Sequence, residues 1–271
     1  MYTKEFSDVE KKEMRDALKV SDDHLKVAEI FSTIQGEGPN TGIPVIFIRL
    51  QLCNLHCVWC DTPYTWNWEG TDFKHDTKDY EQTKYDPRQE ILTMLPSEIF
   101  FKVKELAGES IKRIVWTGGE PLVQQRSKAF EETLSLLCEA GFKIEIETNG
   151  TLKPSEKIRP YITQYNVSPK LENSGNTVKE RKKDKPYLFY TAHPNAYFKF
   201  VVCSEEDMAE IEELRELYNI PAEKILLMPE GRTEEEVKSR AQELVKICIE
   251  RGYRFCNRLQ GWVWDGALRG V

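Results

Sequence analysis

Three cysteines in one short loop, Cys53, Cys57 and Cys60, have the spacing and the chemistry to hold iron. They stand as C-x3-C-x2-C inside the run Leu52-Cys53-Asn54-Leu55-His56-Cys57-Val58-Trp59-Cys60-Asp61-Thr62. Thiolates are the soft ligands that iron–sulfur clusters take, and ferredoxins commonly supply four of them. Here a compact loop offers three, and no fourth cysteine lies nearby. The spacing therefore points to a 4Fe-4S cluster with one iron left for a chelating ligand. Zinc is the competing chemistry, because it also takes Cys and His in a tetrahedral shell and His56 sits between the thiols. Zinc ribbons pair one C-x2-C knuckle with another, and no second knuckle appears at Cys138, Cys203, Cys248 or Cys256. Those four lie in or beside apolar stretches and read as small buried hydrophobes. Seven cysteines, an odd number in 271 residues, do not make a disulfide framework.

The chain that must position this loop alternates helices and strands, the pattern of a parallel sheet covered by crossover helices. The fold class is α/β. Residues 45–50 read as the first core strand, followed by strands near 113–116, 143–147, 165–167, 197–202, 225–228 and 254–259. Ser97 begins a helix that stops near Gly108, and a second runs from about Ser127 to Gly141. Ser204 with Asp207, and Thr233 with Glu236, resemble capping boxes that open two more helices, the last closed by Gly252. Residues 1–26 read as a helical N-terminal extension, since Ser7 and Glu10 fit a capping box and Val9, Met14 and Leu18 form a thin apolar stripe. Residues 27–271 form the core domain. Within it, residues 64–96 turn polar and irregular, with Trp66, Trp68, Asp72, Lys74, Asp76, Lys78 and Asp79 in quick succession, and read as an insertion or lid.

Composition bounds the function classes. With 40% hydrophobic and 31% charged residues the chain is an ordinary globular one, large enough for a single domain of α/β-barrel size. A net charge of -7 argues against a nucleic-acid partner, and the basic run at 179–185 reads as a solvated loop. No apolar run approaches membrane-spanning length, and the first twenty residues are too charged for a secretory leader. A cytoplasmic location without a membrane partner is expected, where reducing conditions suit the thiols.

The cysteine loop resembles the signature of the radical S-adenosylmethionine superfamily. Within it, Glu29-Ile30-Phe31-Ser32-Thr33-Ile34-Gln35-Gly36-Glu37-Gly38 followed by Phe47-Ile48-Arg49-Leu50 is similar to the 7-carboxy-7-deazaguanine synthases. Thr117-Gly118-Gly119-Glu120-Pro121, Glu147-Thr148-Asn149-Gly150, Ser168-Pro169-Lys170 and the closing Arg269-Gly270-Val271 follow in that family's order. The resemblance implies a partial (β/α) barrel, and cofactors consisting of the 4Fe-4S cluster, S-adenosylmethionine and Mg2+. It implies a homodimer, a pterin substrate, and an electron donor such as flavodoxin or ferredoxin. S-adenosylmethionine would lie against Trp59, Cys60, Asp61, Gly119, Glu120, Glu147, Asn149, Ser168, Pro169 and Lys170, with residues 228–231 bordering its adenosyl moiety. Substrate would meet Ile34, Gln35, Gly36, Glu37, Arg49, Thr117 and Val271, and Thr62 would ligate magnesium beside the substrate carboxylate.

Elementary chemistry gives these segments tasks of their own. Glycines after a strand let backbone approach a ligand closely, although Gly118-Gly119 also suits a tight strand-to-helix turn. Glu147 and Asn149 offer acceptors and donors to ribose hydroxyls, and Asn149-Gly150 is also a turn pair. Gln35 and Glu37 match the donor and acceptor edge of a pterin. A guanidinium inside an apolar strand needs an anionic partner, so Arg49 would meet either a substrate carboxylate or a nearby Asp or Glu. After Arg258-Leu259, where the family pattern leads one to expect histidine, this chain carries Gln260, which cannot titrate.

Two other functions share parts of this pattern. A glycyl-radical-activating enzyme has the same loop but passes its radical to a protein. A noncatalytic metal-binding module would lack the Gly-Gly turn and the strand-end residues. Cys57→Ala is expected to abolish turnover in an anaerobic product assay; full activity in that variant would remove the cluster from the mechanism.

Overall fold

The computed structural model of the chain describes residues 6–73, 75, 84–231, 233–264 and 269–270. Among them nine strands make one open sheet: β1 (Leu25–Ile34), β2 (Pro44–Leu50), β3 (Leu92–Met94), β4 (Arg113–Gly118), β5 (Lys143–Thr148), β6 (Ile162–Val167), β7 (Ala196–Val202), β8 (Ile225–Pro229) and β9 (Arg254–Phe255). Their order is β3-β1-β2-β4-β5-β6-β7-β8-β9. β1 runs antiparallel to both β2 and β3. From β2 through β9 every neighbour is parallel. The sheet does not close, and the architecture is the partial (β/α) barrel expected from the sequence.

The helices are α1 (Asp8–Ala17), α2 (Pro87–Glu90), α3 (Pro96–Ala107), α4 (Lys128–Glu139), α5 (Val178–Arg181), α6 (Asp184–Ala192), α7 (Asp207–Tyr218), α8 (Glu234–Arg251) and α9 (Leu259–Val263). Capping boxes at Ser7/Glu10 and Thr233/Glu236 open α1 and α8, and Gly252 ends α8 in the left-handed conformation. The box expected at Ser204 and Asp207 is built differently. Asp207 Oδ2 accepts from the backbone N–H groups of Cys203 and Ser204, and Glu206 takes the cap position.

Side chains on a strand alternate between faces, and here the alternation separates core from site. One face sends Ile46, Ile48, Ile114, Trp116, Ile144, Ile146, Phe198 and Phe200 into the main core, against Ile99 and Val103 of α3, Phe130 and Leu134 of α4, and Ile211 and Leu214 of α7. The other carries Arg49, Thr117, Glu147, Asn166 and Lys199 into the barrel. Parallel strands buried on both faces are expected to read as continuous apolar runs. These do not, because their inner face is a polar site.

Further sequence expectations change, and the strand expected at 254–259 covers only Arg254–Phe255, with Leu259 already opening α9. β1 precedes the strand taken as first; its mixed sequence LKVAEIFSTI lacks clean alternation, and its burial comes from pairing on both edges. Residues 179–185 are not a solvated loop but contribute to α5 and α6, with Arg181 only 4% exposed and paired with Glu210 of α7. That partner is far away in sequence, so no local signal announces the pair. The segment at 64–96 is also less irregular than its composition suggests. Tyr64, Trp66 and Trp68 are buried, β3 joins the sheet edge, and Pro96 opens α3. Lys74, Asp76, Lys78 and Asp79 lie outside the described residues.

Phe130 is fully buried, with its ring centroid 4.7 Å from that of Trp116. Phe130→Ala should therefore cost about 3–5 kcal/mol of unfolding free energy in urea titrations, as a cavity opens between α4 and the sheet.

Candidate active site

The cleft opens at the carboxyl ends of the parallel strands, the usual ligand side of such folds. Register places Arg49 of β2 beside Thr117 of β4, and Glu147 of β5 beside Asn166 of β6. With Lys199 from β7, these residues line one cleft together with the cysteine loop and the Gln35-Gly36-Glu37 segment. Its atom-free space, counted out to the open mouth, is about 1110 Å³.

The cysteine loop is clamped to the turn after β4. Leu50 O accepts from Gly119 N at 3.2 Å, and Leu52 O accepts from Glu120 N at 2.9 Å. A Cβ at Gly118 or Gly119 would collide with the Leu50 or Leu52 carbonyl, and Gly118 also has φ +134. Glycine is required at both. Leu52 itself has φ 77, an uncommon conformation for a branched residue, held where the chain leaves β2 for the thiols.

All three thiols face the cleft, and each receives a hydrogen-bond donor. Cys53 Sγ accepts from Leu55 N at 3.5 Å, Cys57 Sγ from Asn176 Nδ2 at 3.2 Å, and Cys60 Sγ from Trp66 Nε1 at 3.3 Å. Burial pushes the Cys57 thiol up to about 11 and raises those of Cys53 and Cys60. Three desolvated sulfurs facing N–H donors form a donor set that matches iron, whose charge would take off the protons. A zinc shell is not built here. The His56 ring stacks on Phe73 with centroids 3.4 Å apart, and His56 does not line the cleft. Among the described residues, no group of three His, Cys, Asp or Glu side chains could hold a single metal ion.

Opposite the thiols lies a charged network. Glu37 pairs with Lys199, lies 3.4 Å from Arg258 Nε, and accepts from Gln260 Nε2 at 2.5 Å. Burial alone would raise its carboxyl, but Lys199 and Arg258 outweigh that and bring it down to about 2. Glu147 accepts from Thr117 Oγ1 at 2.8 Å and from Gln35 Nε2 at 3.1 Å; burial raises its carboxyl despite the neighbouring Lys199. Arg49 meets Glu29, with Nε 2.8 Å from Oε1, so the protein-partner alternative is realised on one edge of the guanidinium. Glu29 also accepts from the Tyr64 hydroxyl at 2.8 Å and from Gly270 N at 3.0 Å.

Most sequence-identified residues converge on this cleft: Ile34, Gln35, Gly36, Glu37, Arg49, Cys53, Cys57, Trp59, Cys60, Asp61, Thr62, Thr117, Gly119, Glu147, Asn149, Ser168 and Lys170. Lys170 reaches over the Trp59 ring at 5.4 Å and donates to Ser168 Oγ at 2.9 Å. Glu120 directly follows the Gly-Gly turn and is not among the residues lining the cleft. Fully buried, it accepts from Leu122 N, Asn149 N and Thr148 Oγ1, and burial pushes its carboxyl up to about 7. Pro169 and residues 228–231 do not line the cleft, and Gly231 O instead accepts from Arg258. Val271 lies outside the described residues. Lys199, Asn166 and Trp66 line the cleft without having been singled out for it. Lys199 carried a readable signal, a lysine in the middle of the apolar strand AYFKFVV.

A half-open parallel barrel with a three-thiol loop at its strand ends defines a radical S-adenosylmethionine enzyme, and the Radical SAM superfamily matches residues 47–238. The chain is 34% identical to a 7-carboxy-7-deazaguanine synthase of Pyrobaculum aerophilum over 90% of its own length and 96% of that protein's. It is 32% identical to one of Rhodopirellula baltica, covering 93% and 91%. Its fold matches the crystal structure of QueE from Escherichia coli with a TM-score of 0.63 at 26% identity, over 87% of this chain and 94% of that one. This chain belongs to the 7-carboxy-7-deazaguanine synthase family.

Because the Glu37 carboxyl lies at about 2 instead of the ordinary 4.5, its ionised form stabilises the fold above pH 4.5, and that contribution is lost as pH falls towards 2. Glu37→Gln should remove this part of the acid dependence, of the order of 3 kcal/mol between those limits, in unfolding free energies measured across the acid range.

Proposed function

We propose that this chain converts 6-carboxy-5,6,7,8-tetrahydropterin to 7-carboxy-7-deazaguanine with loss of ammonia, a carbon–nitrogen lyase step of 7-deazapurine (queuosine/preQ0) biosynthesis. The observation that carries this reading is the convergence of three donor-bonded thiols with Arg49, Thr117 and Gln35 on one cleft. Relatives matched along nearly their whole length support it.

Cys53, Cys57 and Cys60 would hold the cluster. Trp59, Cys60, Asp61, Gly119, Glu120, Glu147, Asn149, Ser168, Pro169 and Lys170 would contact S-adenosylmethionine, with Glu120 also holding the Asn149 N–H and the Thr148 hydroxyl. Bound there, cluster and S-adenosylmethionine together would supply radical chemistry directed at a substrate C–H bond. The protein's own work is positioning and desolvation. Glu29 fixes the Nε edge of Arg49, directing the rest of the guanidinium at a carboxylate in the cleft. Thr117 and Glu147 form a hydrogen-bonded pair in the adjoining wall, next to Gln35, where amino and amide groups of a pterin would bind. Phe47, Leu55 and Trp66 give the same cleft dry surfaces. Lys199 and Arg258 hold Glu37 ionised at neutral pH.

Thr62, buried at the cleft edge, would offer one oxygen to Mg2+, which prefers octahedral oxygen ligation and keeps several waters, so substrate oxygens would complete the site. Asp61 beside it pairs with Arg258, whose guanidinium nitrogen is 2.7 Å from Oδ2. A flavodoxin or ferredoxin electron donor, a homodimer and a cytoplasmic location belong to the same proposal and rest on the family resemblance. No described helix is long and apolar enough to cross a membrane.

Anaerobically reconstituted, reduced protein given S-adenosylmethionine and 6-carboxytetrahydropterin should yield 7-carboxy-7-deazaguanine by mass spectrometry. Cofactor cleavage without that product would overturn the substrate assignment and favour an activase. Arg49→Ala should raise KM for the carboxypterin at least tenfold while leaving the cluster's iron content unchanged.

A further inference from the structure

We propose that the Trp66 indole is a redox-tuning donor to the cluster ligand Cys60, so that the segment following the cysteine loop serves the metal centre. The inference rests on the cluster assignment made above. Trp66 is 2% exposed, and its Nε1 lies 3.3 Å from Cys60 Sγ. A buried indole N–H requires an acceptor, and this one has a cysteine sulfur.

The ring is held in that orientation from several sides. His56 meets it edge-on with centroids 5.1 Å apart, and Phe73 and His75 stand 6.2 and 6.0 Å away. The backbone is pinned too, since Trp66 N donates to Pro63 O and Leu52 N donates to Thr65 O. His75 Nε2 bonds the carbonyl of Cys60 itself at 2.8 Å, so the segment grips this residue by both its main chain and its sulfur. Trp59, the other indole near the thiols, turns its N–H away to Asn173 O at 3.0 Å.

Packing alone does not require this arrangement, because phenylalanine would also present an aromatic ring between His56 and His75. What tryptophan adds is a donor. Reducing a cluster places extra negative charge on iron and sulfur, and an N–H aimed at a ligand sulfur stabilises that charge more than it stabilises the oxidised state. Removing the donor therefore makes reduction harder. Asn176 does the same for Cys57 from another part of the chain, whereas Cys53 relies on the backbone N–H of Leu55.

The test is an EPR-monitored redox titration of the reconstituted protein and of Trp66→Phe, without S-adenosylmethionine, with iron and sulfide assayed in both. The midpoint of the variant should move to more negative potential at unchanged iron and sulfide content; an unchanged midpoint at full content would overturn the inference while leaving the cluster assignment intact. Unaltered protein that binds no iron would overturn both. Should the variant fail to load, HYSCORE of the reduced unaltered holoprotein labelled with 15N-indole tryptophan decides. A weak indole-nitrogen coupling that persists in Trp59→Phe is expected, and its absence refutes the role.

Discussion

The close approach of two backbones, at Leu50–Leu52 and at Gly118–Gly119, is the constraint on which the site depends. Parallel pairing of β2 with β4 continues past Leu50 and Gly118 into two further hydrogen bonds, from Gly119 N to Leu50 O and from Glu120 N to Leu52 O. That contact brings the cysteine loop and the Gly-Gly turn into one wall. It needs glycine because a Cβ has nowhere to go, and it forces Leu52 into positive φ. Glu120 completes the clamp: its N–H is spent on Leu52, and its carboxylate gathers the backbone of Leu122 and Asn149. Conformational cost at Leu52 is thus offset by a hydrogen-bonded seam that the two glycines make room for.

Polar groups inside the barrel follow a second constraint. Ion pairs taken out of water cost several kcal/mol in desolvation, so their use here is better explained by position than by stability. Arg113 pairs with Glu145, whose carboxylate also accepts from Asn40, Gln164 and Asn166, tying the turn after β1 to β5 and β6. Glu37 does the same with Lys199, Arg258 and Gln260, bringing the C-terminal segment against the Gln35-Gly36-Glu37 loop, where Gly36 O accepts from Leu259 N. Gln260 stands where the family pattern suggested histidine, and it donates to Glu37 without a charge that changes with pH. The pocket's fixed charges are therefore set by carboxylates and cations that sit far from their usual titration range or are held by partners.

Legibility differed by the range of the interaction involved. Strands β2, β4, β5, β7 and β8 were visible because apolar runs bounded by turn residues are local signals. The capping boxes of α1 and α8 were visible because both partners lie within three residues. β1 was passed over because its sequence mixes polar and apolar residues and its burial comes from pairing on two edges. α5 and α6 read as a charged loop because Arg181 is buried by Glu210, an acid contributed by α7. Trp66 and Trp68 lay in a run that composition marked as irregular, and nothing local says that aromatic rings there will close over a thiol.

Residue identity and spacing alone determined the chemistry: three thiols within eight positions, glycines after a strand, a lone arginine in an apolar strand, and a motif order that names the family. Tertiary structure alone decided which edge of Arg49 meets Glu29, that Glu120 gathers the Leu122 and Asn149 backbone, that Lys199 pairs with Glu37, and that Trp66 donates to Cys60. The physical reason is that ligand type and local turn geometry are written within a few residues, whereas direction, burial and charge balance arise only once separate segments fold against one another around the cleft.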